Sequence, residues 1–137
     1  MMRDLLKHVM SFENVNWWLL AGGLALNVII AAVSTIAGAA LSMAESTAAM
    51  YASYGAPLML LAVFLACLLA GALISRMADD VPMRHAFLSS LGAAVAFLLG
   101  ALFTLNYVLL MVAVIAIAGN LNGAMLALPK PHAPRRD

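Results

Sequence analysis

All seven Lys and Arg residues fall in three patches: Arg3 with Lys7, Arg76 with Arg84, and Lys130 with Arg135 and Arg136. Between the patches the chain runs uncharged from Asn14 to Ala44, from Ser46 to Ser75 and from Ala86 to Pro129. A charge at the bilayer centre costs about 2.5–3.5 kcal/mol even on the lenient insertion scale. A helix crosses the hydrocarbon with about 20 residues. Each uncharged stretch is long enough for one crossing and the third for two. The pattern predicts an all-α, polytopic membrane protein with four transmembrane helices in a compact bundle.

Composition agrees. The 137 residues are 66% apolar and 9% charged, against about 45–50% and about 25% in soluble domains. A net charge of +1 points to no nucleic-acid partner. Cys67 is the only cysteine, so it forms no internal disulfide; within Ala62–Leu69 it reads as a small buried hydrophobe. The first apolar run, Trp17 to Leu41, far exceeds the roughly 7–15 residues of a signal h-region and reads as an uncleaved span.

The predicted spans are residues 17–41, 57–75, 86–104 and 107–128. Pro57 suits the first turn of span two, where its missing N–H costs nothing. This leaves residues 42–56 as an outer loop. Thr104-Leu105-Asn106-Tyr107 is the only polar break in the last stretch and marks a tight turn. Residues 1–16 read as an interfacial amphipathic helix, with Met2, Leu5, Leu6, Val9 and Met10 at helical spacing. Trp17 and Trp18 follow at belt level. The tail 129–137 holds three prolines and reads as disordered.

With four spans, both termini and the middle loop share one face, and that face carries every Lys and Arg. The positive-inside rule places it in the cytoplasm, with Glu45 outside.

Helices in lipid associate through close backbone approach and polar contacts, so small residues mark candidate packing faces. Span two offers Ala62, Ala66 and Ala70, beside Cys67, Gly71 and Ser75. Span three offers Gly92, Ala96, Gly100 and Thr104, with Ser89 and Ala93 adjacent. Span four offers Gly119 and Gly123. Ala86 is expected near the membrane face, where added bulk matters less. Asn27 lies deep in span one and needs a partner on another helix. Asn106 suits the outer turn. Asn120 and Asn122 are about 200° apart on a helix and cannot share a face, which argues against a joint site.

The spans contain no Asp, Glu, Lys, Arg or His. Proton-coupled pumps and exporters need a titrating group within the membrane, which excludes small four-span multidrug exporters carrying a Glu in span one. Asp79, Asp80 and His85 fall in the middle loop. One histidine beside two solvated aspartates is a poor metal set, and no cofactor is expected. No hydrolase, phosphate-loop or zinc motif occurs.

Leu69-Ala70-Gly71-Ala72-Leu73-Ile74-Ser75-Arg76, followed by Pro82-Met83-Arg84-His85-Ala86-Phe87-Leu88, resembles the centre of small uncharacterised bacterial four-span proteins. In those a Gly/Ala-rich second span ends in Arg, and His-Ala or His-Gly opens the third. Asp79-Asp80-Val81 lengthens the usual loop. The resemblance implies a bacterial cytoplasmic (inner) membrane and carries over no functional residue.

The functional expectation is a non-enzymatic membrane protein that packs in the lipid bilayer with itself, as a homo-oligomer, or with a larger membrane-protein partner. The alternatives are a small oligomeric channel or permease for an uncharged or weakly hydrated solute, lined by Asn27, Ser34, Thr35 and the span-four asparagines, and an enzyme acting on lipids at the membrane face through His85, Asp79 and Asp80.

Overall fold

A computed structural model of the protein describes residues 12–128. Among them are four helices, α1 (Trp17–Met43), α2 (Ala48–Met77), α3 (Pro82–Thr104) and α4 (Tyr107–Ala127). Each is long and apolar enough to cross a membrane. Helices are the natural outcome for such runs, because in hydrocarbon every backbone N–H and C=O needs a partner within the segment.

Side chains set the helix starts. The Asn16 side chain accepts from the backbone N–H groups of Trp18 at 3.1 Å and Leu19 at 3.2 Å, capping α1. Asn106 caps α4 by accepting from Val108 at 3.0 Å. Leu105, with φ 51° and ψ 34°, turns the chain between α3 and α4. The expected Thr104–Tyr107 turn is therefore present.

Span two differs from expectation. It begins at Ala48 and runs through Pro57, so the connection from α1 shrinks to residues 44–47. The stretch before Pro57 is uncharged and alanine-rich, and membrane helices tolerate an internal proline because neighbouring groups re-satisfy the freed carbonyl. Thr47 holds the short turn, its hydroxyl donating to the Leu41 carbonyl at 2.7 Å. At 1.5 Å per residue α2 is about 45 Å long against about 32 Å for α4. The α1–α2 hairpin is therefore the longer of the two.

The chain's two hairpins pack side by side. α2 and α4 form the most extensive pair, followed by α3 with α4 and α1 with α3, while no Cα of α1 comes within 8 Å of one in α4. Thus α1 and α4 are diagonal. One end of the bundle carries Asn16, Arg76 and Arg84 and is called the basic end; the far end carries residues 44–47 and 105–106.

The core runs through Ala31, Val63, Cys67, Ala93, Phe97, Val112, Ala113 and Ala116. Val63, Cys67, Ala70, Gly71 and Ile74 are the buried line of α2, whereas Ala62 is exposed and Ala66 half-buried. On α3 the line is Ser89, Ala93, Phe97 and Ala101, with Gly92, Ala96 and Gly100 half-buried and Thr104 exposed. The buried line of α3 thus lies one residue beyond the expected stripe, because the large Phe97 side chain fills the centre. Ala86, expected at the membrane face, is 0% exposed.

The expected helix over residues 1–16 is not seen where the structure bears on it: residues 12–16 are not helical, and Asn14 has φ 58°. The rest of that helix and the tail 129–137 lie outside the described residues.

Candidate functional site

Asn27 on α1 and Asn120 on α4 meet across the bundle diagonal, and both are fully buried. The Asn120 amide donates to Asn27 Oδ1 at 2.8 Å, and the Asn27 amide donates back to Asn120 Oδ1 at 3.4 Å. Each amide gives its second N–H to its own helix: Asn27 to the Gly23 carbonyl at 2.9 Å, Asn120 to the Ala116 carbonyl at 3.0 Å. The Cys67 thiol from α2 lies 3.8 Å from Asn27 Oδ1 and donates to it. Every amide N–H is thus used, which is the condition for a buried polar network to hold helices together. The cluster draws on three helices, and it links the one pair whose backbones do not touch.

Glycines bring the neighbouring backbones close around this pair. A Cβ added at Gly71 would strike the backbone of Asn120 itself. One at Gly119 would lie 2.7 Å from the Phe64 carbonyl oxygen, and one at Gly123 would strike the Leu68 carbonyl. Gly92 plays the same part between α3 and α1, where a Cβ would sit 2.5 Å from the Leu24 carbonyl oxygen. Gly23, which sequence reasoning passed over, faces the Ser89 side chain. Gly100 is different, because its added Cβ meets only the flexible tip of Leu109 at 3.3 Å.

Sequence reasoning argued against a joint site of Asn120 and Asn122 and named no partner for Asn120. Asn122 is indeed exposed and bonds only to the Ala118 carbonyl of its own helix, at 2.8 Å. The signal for Asn120 was present: it shares a face with Ala116, Gly123 and Ala124, all buried.

A second polar cluster closes the basic end; Asp79 and Asp80 are exposed as expected, but Arg84 and His85, expected in the middle loop, belong to the helix that follows it. Arg84 and His85 stand in the first turn of α3, 5% and 1% exposed. His85 Nε2 accepts from the Asn16 backbone N–H at 2.9 Å, and Nδ1 lies 3.3 Å from the Val81 carbonyl. Because a backbone N–H can only donate, Nε2 is the acceptor, and Nδ1 carries the ring proton and donates to the Val81 carbonyl. An Arg84 terminal nitrogen donates to the Glu13 carbonyl, while its Nε has no partner. These bonds tie residues 13–16 to the start of α3. Val81, immediately before α3, has a φ of 44° and a ψ of 53°, unusual for a β-branched residue.

The amides of Asn27 and Asn120 do not titrate, and the Cys67 thiol is buried against them. Asn27, Cys67 and Asn120 line none of the grooves described along the helices. Among the described residues no three His, Cys, Asp or Glu side chains gather as metal ligands. No family model matches the chain, and neither a curated protein nor a solved structure matches it.

Proposed function

We propose that the protein is a non-enzymatic, multi-pass membrane protein whose bundle acts as a packing unit, with copies of itself or with a larger membrane-protein partner. The observation that carries this reading is the Asn27–Asn120 clasp. A residue lining a water path keeps polar capacity facing that path. Here both amides are spent on each other and on their own helices, and glycines bring backbone directly against them. We place the chain in a bacterial cytoplasmic membrane with both termini inside. Four-span threading assigns all three Lys/Arg patches of the sequence to the same side, which supports that orientation.

The test is reconstitution of the purified chain into vesicles. The expected result is no added permeability to protons or small neutral solutes, for the wild-type chain and for Asn27→Ala alike, with Asn27→Ala less stable in detergent. Solute flux that Asn27→Ala abolishes in a stably folded protein would replace this reading with a channel. Co-purification in mild detergent, analysed by mass spectrometry, then identifies the partner.

A further inference from the structure

We propose that residues 13–16 form a latch on the start of α3 that acid opens, the trigger being protonation of His85. The inference goes beyond the packing role and does not depend on it.

Three contacts make the latch. The Asn16 N–H donates to His85 Nε2 at 2.9 Å. Arg84 donates to the Glu13 carbonyl. Between those two residues Val15 is buried in a small apolar cluster with Leu20 and Leu88. Glu13, Asn14 and Asn16 are exposed, so little else holds the segment down. It leads straight into α1, which Asn16 caps and where Trp17 stacks on Phe12 with ring centroids 5.7 Å apart.

Only a neutral ring makes the Asn16 contact. Nδ1 holds the ring proton and faces the Val81 carbonyl at 3.3 Å. A second proton must therefore enter at Nε2, where it meets the Asn16 N–H. Two donors then face each other, and a buried donor left without an acceptor costs more than the bond it replaces contributes. The ring is 1% exposed, so solvent does not accept that proton while the latch is shut.

The surroundings oppose the charge as well. Arg84 is next to the ring in sequence, is 5% exposed, and has no partner at Nε. Both residues stand in the first turn of α3, where the helix dipole disfavours a cation. Among the described residues the other charges on neighbouring elements are Glu13 of the latch, Arg76 in the last turn of α2, and Asp79 and Asp80 in the loop; all four are exposed, and α1 and α4 carry none. None bonds to the ring, whose two nitrogens face backbone groups. An imidazolium there gains water only by parting from Asn16. Histidine changes its charge between about pH 5 and 8, so the latch is shut at the upper end of that range and opens as pH falls. Opening uncovers Leu88 and Arg84 and changes the surface that this end of the bundle offers.

The test is electron paramagnetic resonance of the full chain in lipid nanodiscs, with a nitroxide on Glu13→Cys. That substitution keeps the carbonyl that Arg84 uses, and Cys67, 0% exposed, stays unlabelled. The mobile fraction of the label should rise about tenfold from pH 8 to pH 5 and fall again on return to pH 8. His85→Gln offers a side-chain carbonyl to the same N–H and takes no proton, so its label should stay immobile at both values. Imidazole ¹⁵N magnetic resonance of the unlabelled wild type gives a second readout that needs no substitution at His85. One histidine should carry its proton on Nδ1 at pH 8 and on both nitrogens at pH 5. A wild-type label equally mobile at pH 8 and pH 5, or a pH response that persists in His85→Gln, overturns the proposal. So does a spectrum in which no histidine holds its proton on Nδ1 at pH 8.

Discussion

A double-mutant cycle on Asn27 and Asn120 probes the bundle at its centre. Asn27→Ala removes both reciprocal bonds, at 2.8 and 3.4 Å, and leaves Asn120 Oδ1 buried with no donor. Interhelical bonds of this kind are worth roughly 0.6–2 kcal/mol each, and an orphaned buried polar atom adds about 1–3 kcal/mol. The second N–H of Asn120 keeps its bond to Ala116, so the loss is not total. Each single substitution should therefore destabilise by about 2–3 kcal/mol. In the double variant the shared bonds are lost only once and no orphan remains, so the total should fall short of the sum by about 3 kcal/mol. Asn122→Ala, on the exposed side of α4, should stay within about 0.5 kcal/mol. Reversible unfolding of the reconstituted protein in mixed micelles measures all four values. Strict additivity, or an Asn122→Ala effect equal to that of Asn120→Ala, would refute the reasoning.

Further outcomes follow from the glycines and the loops. Gly71→Leu should destabilise by about 3 kcal/mol or more or block assembly, since its first side-chain atom already strikes the Asn120 backbone, whereas Gly100→Ala should stay within about 0.5 kcal/mol; thermal melts in detergent rank them. Ala86→Leu, at a fully buried position, should cost about 1–3 kcal/mol in the same melts. Val81→Gly relieves a left-handed conformation worth about 1–2 kcal/mol and loses some backbone entropy, so it should raise stability by about 0.5–1 kcal/mol; a lowered unfolding midpoint would contradict the strain. Reporter fusions at residue 137 and near Glu45 should be active on opposite sides of the membrane, and activity on the same side would contradict the four-span threading.

The crossing segments were legible because charge placement and run length act on each span independently of its neighbours. Where packing decided, the sequence was less informative. Pro57 looked like a helix start by local chemistry, yet α2 runs through it because membrane helices absorb an internal proline. Arg84 and His85 were expected in the middle loop before span three, yet they stand in the first turn of α3, where Arg84 donates to the Glu13 carbonyl and His85 accepts from the Asn16 N–H. Ala86 was expected near the membrane face, where bulk matters less, yet it is fully buried in the bundle. Gly71, Gly92, Gly119 and Gly123 do stand at close approaches, but Gly100 has the same residue type and spacing with only a flexible leucine tip beside it. Asn27 announced its need for a partner; which helix would supply it depended on the bundle's diagonal, and that is a property of the whole fold.

Cys67 offers the most direct measurement, because the lone thiol lies 3.8 Å from Asn27 at the bundle centre and is 0% exposed. A small water-soluble thiosulfonate applied to the reconstituted wild-type protein should leave Cys67 unmodified, and full modification should follow unfolding in strong detergent. Rapid labelling of the folded protein would put water beside Asn27 and contradict the sealed, packed bundle.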